Sequence, residues 1–499
     1  MPVRMMAALA ALLLATVVAA APSQDAGAAA APPTAAAAAL PTAPPAAPTP
    51  DEALVAAGRR LLFAEHPEAF RQMARNDGFG GPKSPLIANR MQDRAPELVA
   101  EARAKMRVEA FGTGRAGRGL WLIRFPYVNV VLLETRDSLV LFDTGYAAIG
   151  PVLRDLIPTL SAKPLKTIVI THTHVDHAYG AFALLADKPQ IITTAQFPVM
   201  ADVDIRLRGS IARYNNQPLA LQPQSRADFT LPTRTFAGRL ALTIGGEAIE
   251  LVAAPAETAD QMYIWLPGRR TLVTADYYQG FLPNAGNGKR IQRHVEEWSA
   301  ALRGMAALRA DRLLPMHGAA LTDAATIGSA LTLHADALDH ITAQVIDRLN
   351  KGERKDAILA SIDWPARFAD SPLLVASYVR PEDIAKMVAH RWTGWWDDIP
   401  SHHNALDFGA EARAIVALAG GVAAIDSRAR AALPDNPRLA TRMADWALYG
   451  APGDPLALRL AVDIYMARLA APDTPVQEAT IYLEAAARAR AALAQMPAR

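Results

Sequence analysis

The stretch Thr171-His172-Thr173-His174-Val175-Asp176-His177-Ala178-Tyr179-Gly180 decides how the rest of the chain is read. It follows Thr167 to Ile170, a short apolar and β-branched run that reads as a buried strand. Side chains two apart project to the same side where a strand ends, so His172 and His174 point together. Asp176 and His177 come next, as a helix begins. Four ligand-type side chains crowded at a strand end make a poor core and a good site for an ion.

Working outward, strand-like runs bounded by turn residues cluster upstream at Leu120 to Phe125, Val128 to Leu133 and Leu139 to Phe142. A helical segment at Val152 to Leu160 leads to the strand already described. Downstream, Leu240 to Ile244 and Ala248 to Val252 are split by Gly245-Gly246, as a hairpin turn requires. Met262 to Leu266 and Thr271 to Thr274 follow, then helices at Val295 to Leu308 and Ala324 to Leu349. Short strands alternating with helices, hairpins included, indicate an α/β sandwich rather than a regular βαβ series.

Beyond about residue 375, Ala, Leu and Arg dominate. Amphipathic stretches at Glu411 to Ala419, Pro455 to Ala470 and Val476 to Leu493 are punctuated by Pro434, Gly450, Pro452 and Pro472. They predict a separate all-helical domain over 375–499, after a catalytic domain over 115–350. Residues 51–114 read as an N-terminal helical extension, broken at Gly78 to Pro82. The start of the chain is not fold. Arg4 precedes an apolar run from Ala7 to Ala21, with Val18-Ala19-Ala20 as a small-residue cleavage site. The run is short for a membrane span, which needs roughly 20 residues. A signal peptide over 1–20, an Ala/Pro-rich linker over 21–50 and export to a bacterial periplasm are expected, with an uncleaved anchor as the alternative.

Composition narrows the chemistry. Among 499 residues, 51 Lys and Arg face 49 Asp and Glu, a net charge of +2 with no basic stripe, which argues against a nucleic-acid partner. Cysteine is absent, so any metal must be held by His, Asp and Glu.

His-x-His-x-Asp-His after a strand, preceded by Val140-Leu141-Phe142-Asp143-Thr144-Gly145, resembles the metallo-β-lactamase fold superfamily. The resemblance implies an αββα sandwich that binds one or two metals at one edge of its sheets. It also implies further ligands at later strand ends. Glu257, Asp276 after Leu272 to Ala275, and His317 before Gly318 stand in those places. A Glu at 257, where most of the superfamily has His, is similar to the alkylsulfatase-like branch. So are the spacing from Glu257 to Asp276 and Asn284 and the segment Gly394-Trp395-Trp396-Asp397-Asp398-Ile399-Pro400. The tail around Leu418 to Gly421 looks like that branch's dimerisation domain. Three departures stand out. Asp276 replaces a more usual Glu, and His317 sits directly before Gly318 as in the wider superfamily. The chain also ends near 499, without room for a sterol-carrier-like domain, which leaves chain-length preference open.

Of the one or two metals that the resemblance implies, the seven candidate ligands are read as holding two divalent ions. His172, His174 and Glu257 would hold one, and Asp176, His177 and His317 the other, with Asp276 bridging. Asp176 and His177 are the expected catalytic residues. All-His and carboxylate ligation suits Zn²⁺, with Mn²⁺ or Fe²⁺ as alternatives. For a sulfate ester the implied donors are Asn284, Arg213 with Tyr214, and Lys289 or Arg290. Trp395 and Trp396 would line the substrate mouth or pack between domains. A homodimer acting on a small-molecule ester follows. The same fold also serves lactone, thioester, β-lactam and phosphodiester hydrolases, and a non-catalytic, metal-stapled assembly protein is a third reading. Gly112 to Gly117 matches GxGxxG but precedes a strand, so it fails as a dinucleotide loop. His402-His403, adjacent on a loop and so pointing apart, are read as surface or rim residues.

Overall fold

The computed structural model describes residues 49–76, 91–112, 119–215 and 217–497. The expected signal peptide, nearly all of the linker, the whole Gly78 to Pro82 break and most of the Gly112 to Gly117 stretch lie outside the described residues.

Two sheets form the centre. The first has seven strands in sequence order: β1 (Arg107–Ala110), β2 (Leu120–Arg124), β3 (Asn129–Glu134), β4 (Leu139–Phe142), β5 (Leu165–Val169), β6 (Gln190–Thr194) and β7 (Arg234–Phe236). β1 to β4 pair antiparallel, and β4 to β7 run parallel. The second sheet is ordered β12-β11-β10-β9-β8, from β8 (Arg239–Ile244), β9 (Glu247–Ala253), β10 (Met262–Leu266), β11 (Thr271–Val273) and β12 (Arg312–Leu314). Gly245 and Gly246 join β8 to β9 at φ 51° and 82°, the left-handed pair that a tight hairpin needs.

Alternation assigns the faces of the second sheet. Met262, Ile264 and Leu266 of β10 enter the core shared with the first sheet, whereas Tyr263 and Trp265 point to the opposite side. There they meet Trp298 and Leu302 of the helix Val295–Ala307 and Leu331 and Leu338 of the helix Ala324–Asn350. The helices Pro96–Lys105 and Ile149–Leu160 cover the first sheet. The layers are therefore α, β, β, α.

A third core is wholly helical. It joins Phe408–Leu418, Val422–Ala432, Pro437–Gly450, Pro455–Leu469 and Val476–Ala494 through small side chains such as Ala440, Ala444, Ala461 and Ala486. Asp407, Asn436 and Asp454 cap three of these helices, each side chain accepting from backbone N–H groups of the first turn. Two boundaries differ from the sequence reading. The helix Pro50–Glu65 belongs to this third core, with Val55 and Leu62 packed among the C-terminal helices. At their crossing a side chain on Gly58 would meet the Ala487 carbonyl oxygen at 1.9 Å. The helix Pro381–Thr393, by contrast, packs Ile384, Ala385 and Val388 against the catalytic sandwich. Packing, unlike composition, groups elements that are far apart in the chain. Among the described residues no single helix is long and apolar enough to cross a membrane.

Candidate metal centre

Loops leaving the C-terminal ends of β4, β5, β9, β11 and β12 converge at one edge of the sandwich. They carry Asp143, His172 to His177, Glu257, Asp276 and His317 respectively. Two groups of ligand atoms result, His172, His174, Glu257 and Asp276 in one and Asp176, His177 and His317 in the other, the atoms of each within 4.8 Å of one another. Asp276 faces both. Its Oδ1 lies 3.1 Å from His177 Nε2 and 3.3 Å from His317 Nε2, and its Oδ2 is 4.0 Å from His172 Nε2. Asp176 Oδ2 is 3.6 Å from His177 Nε2 and 3.4 Å from His317 Nε2. All seven are buried except His174, which is half-buried.

Each ligand is held from behind. His177 Nδ1 donates to Asp143 Oδ2 at 2.7 Å, which fixes the ring and leaves Nε2 facing the centre. Asp143 also accepts from the Thr171 amide and hydroxyl at 2.7 and 2.8 Å, so one buried carboxylate sets the direction of the whole His loop. His317 Nδ1 donates to the Tyr127 carbonyl at 2.8 Å. Asn129 pins that turn by donating to the Pro315 and Gly318 carbonyls, each at 2.9 Å. Asp143 and Ala275, the latter just before Asp276, adopt φ 58° and 45° without being glycine. Backbone of that kind costs of order 1–3 kcal/mol and persists where the surroundings over-determine it.

The charge pattern fits cations. Burial pushes His172 and His174 well below the usual imidazole range, so both offer neutral nitrogen. Burial works against charge on His177 too, but Asp276, Asp176 and Asp143 outweigh it and hold that ring well above its usual range. Burial raises the Glu257 carboxyl to about 8, opposed by Arg293 and assisted by Asp276. Among the described residues, His177 Nε2, Glu257 Oε2 and Asp276 Oδ1 are buried without a hydrogen-bond partner. Orphaned donor atoms that face one another across a dry site are what a divalent ion satisfies. The residues present therefore fit a metal centre.

Arg293, which the sequence reading passed over, is fully buried behind Glu257. Its guanidinium lies 3.1 Å from Glu257 Oε1 and also donates to the Glu257 carbonyl. The only sequence signal was its place just after Lys289 and Arg290. Asn284 Nδ2 donates to the same Glu257 oxygen at 2.8 Å. Of the other implied donors, Arg290 lines the cavity above the centre and donates to Asn215 Oδ1 at 2.8 Å. Tyr214 and Lys289 line it further out, and Lys289 reaches Thr480 Oγ1 at 2.5 Å. Arg213 is turned away, its side chain 66% exposed with Glu484 at 3.5 Å, because it follows Ala212 on a helix whose buried face is the opposite one. Trp395 and Trp396 are absent from the cavity wall. Trp395, 67% exposed, lies against the His403 ring, and Trp396 Nε1 donates to the Ile399 carbonyl within its own loop. His402 pairs with Asp397 at 2.8 Å, remote from the centre in its own loop.

Fold and donor set define an αββα sandwich with a buried His and carboxylate centre, followed by a helical bundle. Residues 123–317 match the metallo-beta-lactamase superfamily, and residues 354–492 match the alkyl sulfatase dimerisation family. The chain thus carries a metallo-β-lactamase domain followed by an alkyl sulfatase dimerisation domain. It is 26% identical over 319 residues to a linear primary-alkylsulfatase of Pseudomonas sp., a match covering 58% of this chain and 60% of that protein. It is 23% identical over 333 residues to the alkyl/aryl-sulfatase BDS1 of Saccharomyces cerevisiae, covering 60% and 52%. These matches span less than two thirds of either relative. The solved stereoselective inverting sec-alkylsulfatase Pisa1 from Pseudomonas sp. shares the fold at a TM-score of 0.66 and 19% identity, over 90% of this chain and 78% of that one.

Proposed function

We propose that the chain is a dinuclear metallohydrolase that cleaves alkyl sulfate esters. The observation that carries this reading is Asp276, whose two oxygens face two separate groups of buried ligand atoms. Alkylsulfatase relatives of matching domain order support the choice of sulfate over other esters. Two divalent ions, Zn²⁺ by donor chemistry, would supply a water acidified toward neutral pH and charge neutralisation for the ester. His172, His174 and Glu257 would hold one, Asp176, His177 and His317 the other, and Asp276 both.

The chain's own groups do the rest. His177 Nδ1 donates to Asp143, so Nε2 is the ring nitrogen turned to the centre, where a bound ion would take the place of its proton. Arg293 and Asn284 hold Glu257 in one orientation, so the ligand need not search when an ion binds. Arg290 is a permanent cation on the cavity wall, placed to orient an anionic head group. Tyr127, Thr258 and Gln279 close the wall around the centre and limit water. Residues 354–492 would mediate a two-fold homodimer, the default closed symmetry. The apolar run at 7–21 would direct export.

Sulfate release from alkyl sulfates by the zinc-loaded protein, run beside Asp176→Ala, tests the proposal. The variant is expected to bind one ion fewer and to lose activity by several orders of magnitude. Full activity with unchanged metal content in that variant would overturn the assignment.

A further inference from the structure

We infer that the helices Pro50–Glu65 and Pro67–Arg75, outside both family-matched stretches, form a chain-binding wall that selects esters with a long apolar tail. The inference rests on the sulfatase reading for the identity of the head group. The centre opens into one cavity of about 730 Å³, within the size range of sites that bury small organic ligands. Its inner end is polar, with His174, Glu257, Asp276 and Arg290. The rest of the lining is mainly apolar, with Phe63, Phe70, Met73, Leu207, Ile211 and Leu483, although Arg59, Arg60 and Arg71 of the same two helices also line it.

Helix geometry produces this wall. Arg59 and Phe63, four apart, share the cavity face of the first helix, while Val55, Gly58 and Leu62 pack into the helical core. Phe70 and Met73, three apart, do the same on the second helix, and the Phe63 and Phe70 rings lie 4.4 Å apart between centroids, tilted by 33°. Val476, Thr480 and Leu483 add a stripe from the last helix, which packs against the first. Phe63, Leu207 and Ile291 are 51%, 40% and 43% exposed, and all three belong to the rim of this single cavity. Large apolar side chains left uncovered together, next to a polar end that carries Arg290 and would hold the metal cations, call for an occupant with an anionic head and an apolar tail. A straight hydrocarbon chain esterified at one end has that shape. Its methylenes would lie against Met73, Phe70 and Phe63.

The test uses the purified full chain loaded with zinc. Binding of alkyl sulfonates from butyl to dodecyl, which keep the head group but cannot be hydrolysed as esters, is measured by calorimetry beside kcat/KM for the matching sulfates. Wild type should gain up to about four-fold in affinity per buried methylene. Phe63→Ala, at a half-exposed position, should lose affinity increasingly with chain length, reaching roughly ten-fold at the longest chains. Phe63→Leu should restore most of the slope. Phe63→Asp should weaken long chains further. Equal affinity at all lengths in wild type, or an unchanged slope in Phe63→Ala and Phe63→Asp, would overturn the wall. Chain-dependent sulfonate binding without sulfate release would leave the wall standing and defeat the sulfatase reading. Release without chain dependence would do the reverse.

Discussion

The floor and the mouth of the cavity are built on opposite plans. The floor sits on strand ends of two sheets, where backbone hydrogen bonding fixes each loop and buried partners such as Asp143, Asn129 and Arg293 fix each side chain. The mouth is laid on faces of helices that come from three distant parts of the chain, and its side chains are half exposed. Chemistry that needs ligand atoms placed to fractions of an ångström has the rigid scaffold. Recognition of a tail that is only apolar tolerates the softer one, because burial of hydrocarbon is non-directional. Changes at the floor should therefore be steep and specific, and changes at the mouth graded.

The steepest break should come from Asp276→Ala, which deprives both ligand groups of a shared carboxylate. Metal analysis should show both ions weakened and activity down by several orders of magnitude. Retention of both ions would mean that Asp276 bridges nothing. Next, Arg293→Met removes the cation buried against Glu257, which costs up to about 3–5 kcal/mol in similar buried pairs and less to the extent that Glu257, already raised to about 8, takes up a proton. Denaturant unfolding should register that loss in metal-free protein and a smaller one after zinc is added, since a bound cation then faces the same carboxylate. Equal losses in both states would place Glu257 outside the metal site. Asp143→Asn should be milder, weakening metal affinity about 10–100-fold with both ions still bindable, as read by competition with a chelator.

The smallest effect sharpens the border between the two regions. Asp204, on the cavity wall between floor and mouth, is raised to about 7 by burial and by Asp260, with Arg290 opposing. A carboxyl whose folded pKa is raised binds its proton more tightly folded than unfolded, so it costs stability as pH climbs from about 4 to 7. Asp204→Asn removes that cost. The Tm of the variant relative to wild type should rise across this window and level off above it. A difference that is flat with pH would show that Asp204 is fully solvated.

The legibility of the chain follows the same division. His172, His174, Asp176 and His177 were readable because they lie together at the end of one apolar strand; Glu257, Asp276 and His317 were legible only because the family resemblance called for ligands at later strand ends, where each of them stands. The sandwich was readable from short apolar and aromatic runs such as Met262 to Leu266, bounded by turn residues and alternating with helical segments. What was not readable is whatever depends on long-range packing. Arg293 looked like one more basic residue in a polar segment, since nothing local says that it is buried. The short strands β1, β7 and β12 carry too few residues to show a period. The helix Pro50–Glu65 gave no sign that it belongs with residues more than 400 positions away, although Gly58 exists to let that helix close on Ala487. Arg213 and Tyr214, neighbours in sequence, point to different places because adjacent residues on a helix are about 100° apart.

The central claim is that seven convergent side chains hold two ions and that both are needed to split a sulfate ester. It is tested most directly by stripping the protein with a chelator and measuring sulfate release while zinc is returned in known equivalents. Release should stay near zero through the first equivalent, rise through the second and then stop rising. Undiminished release from the stripped protein, or full release after one equivalent, would contradict the two-ion account.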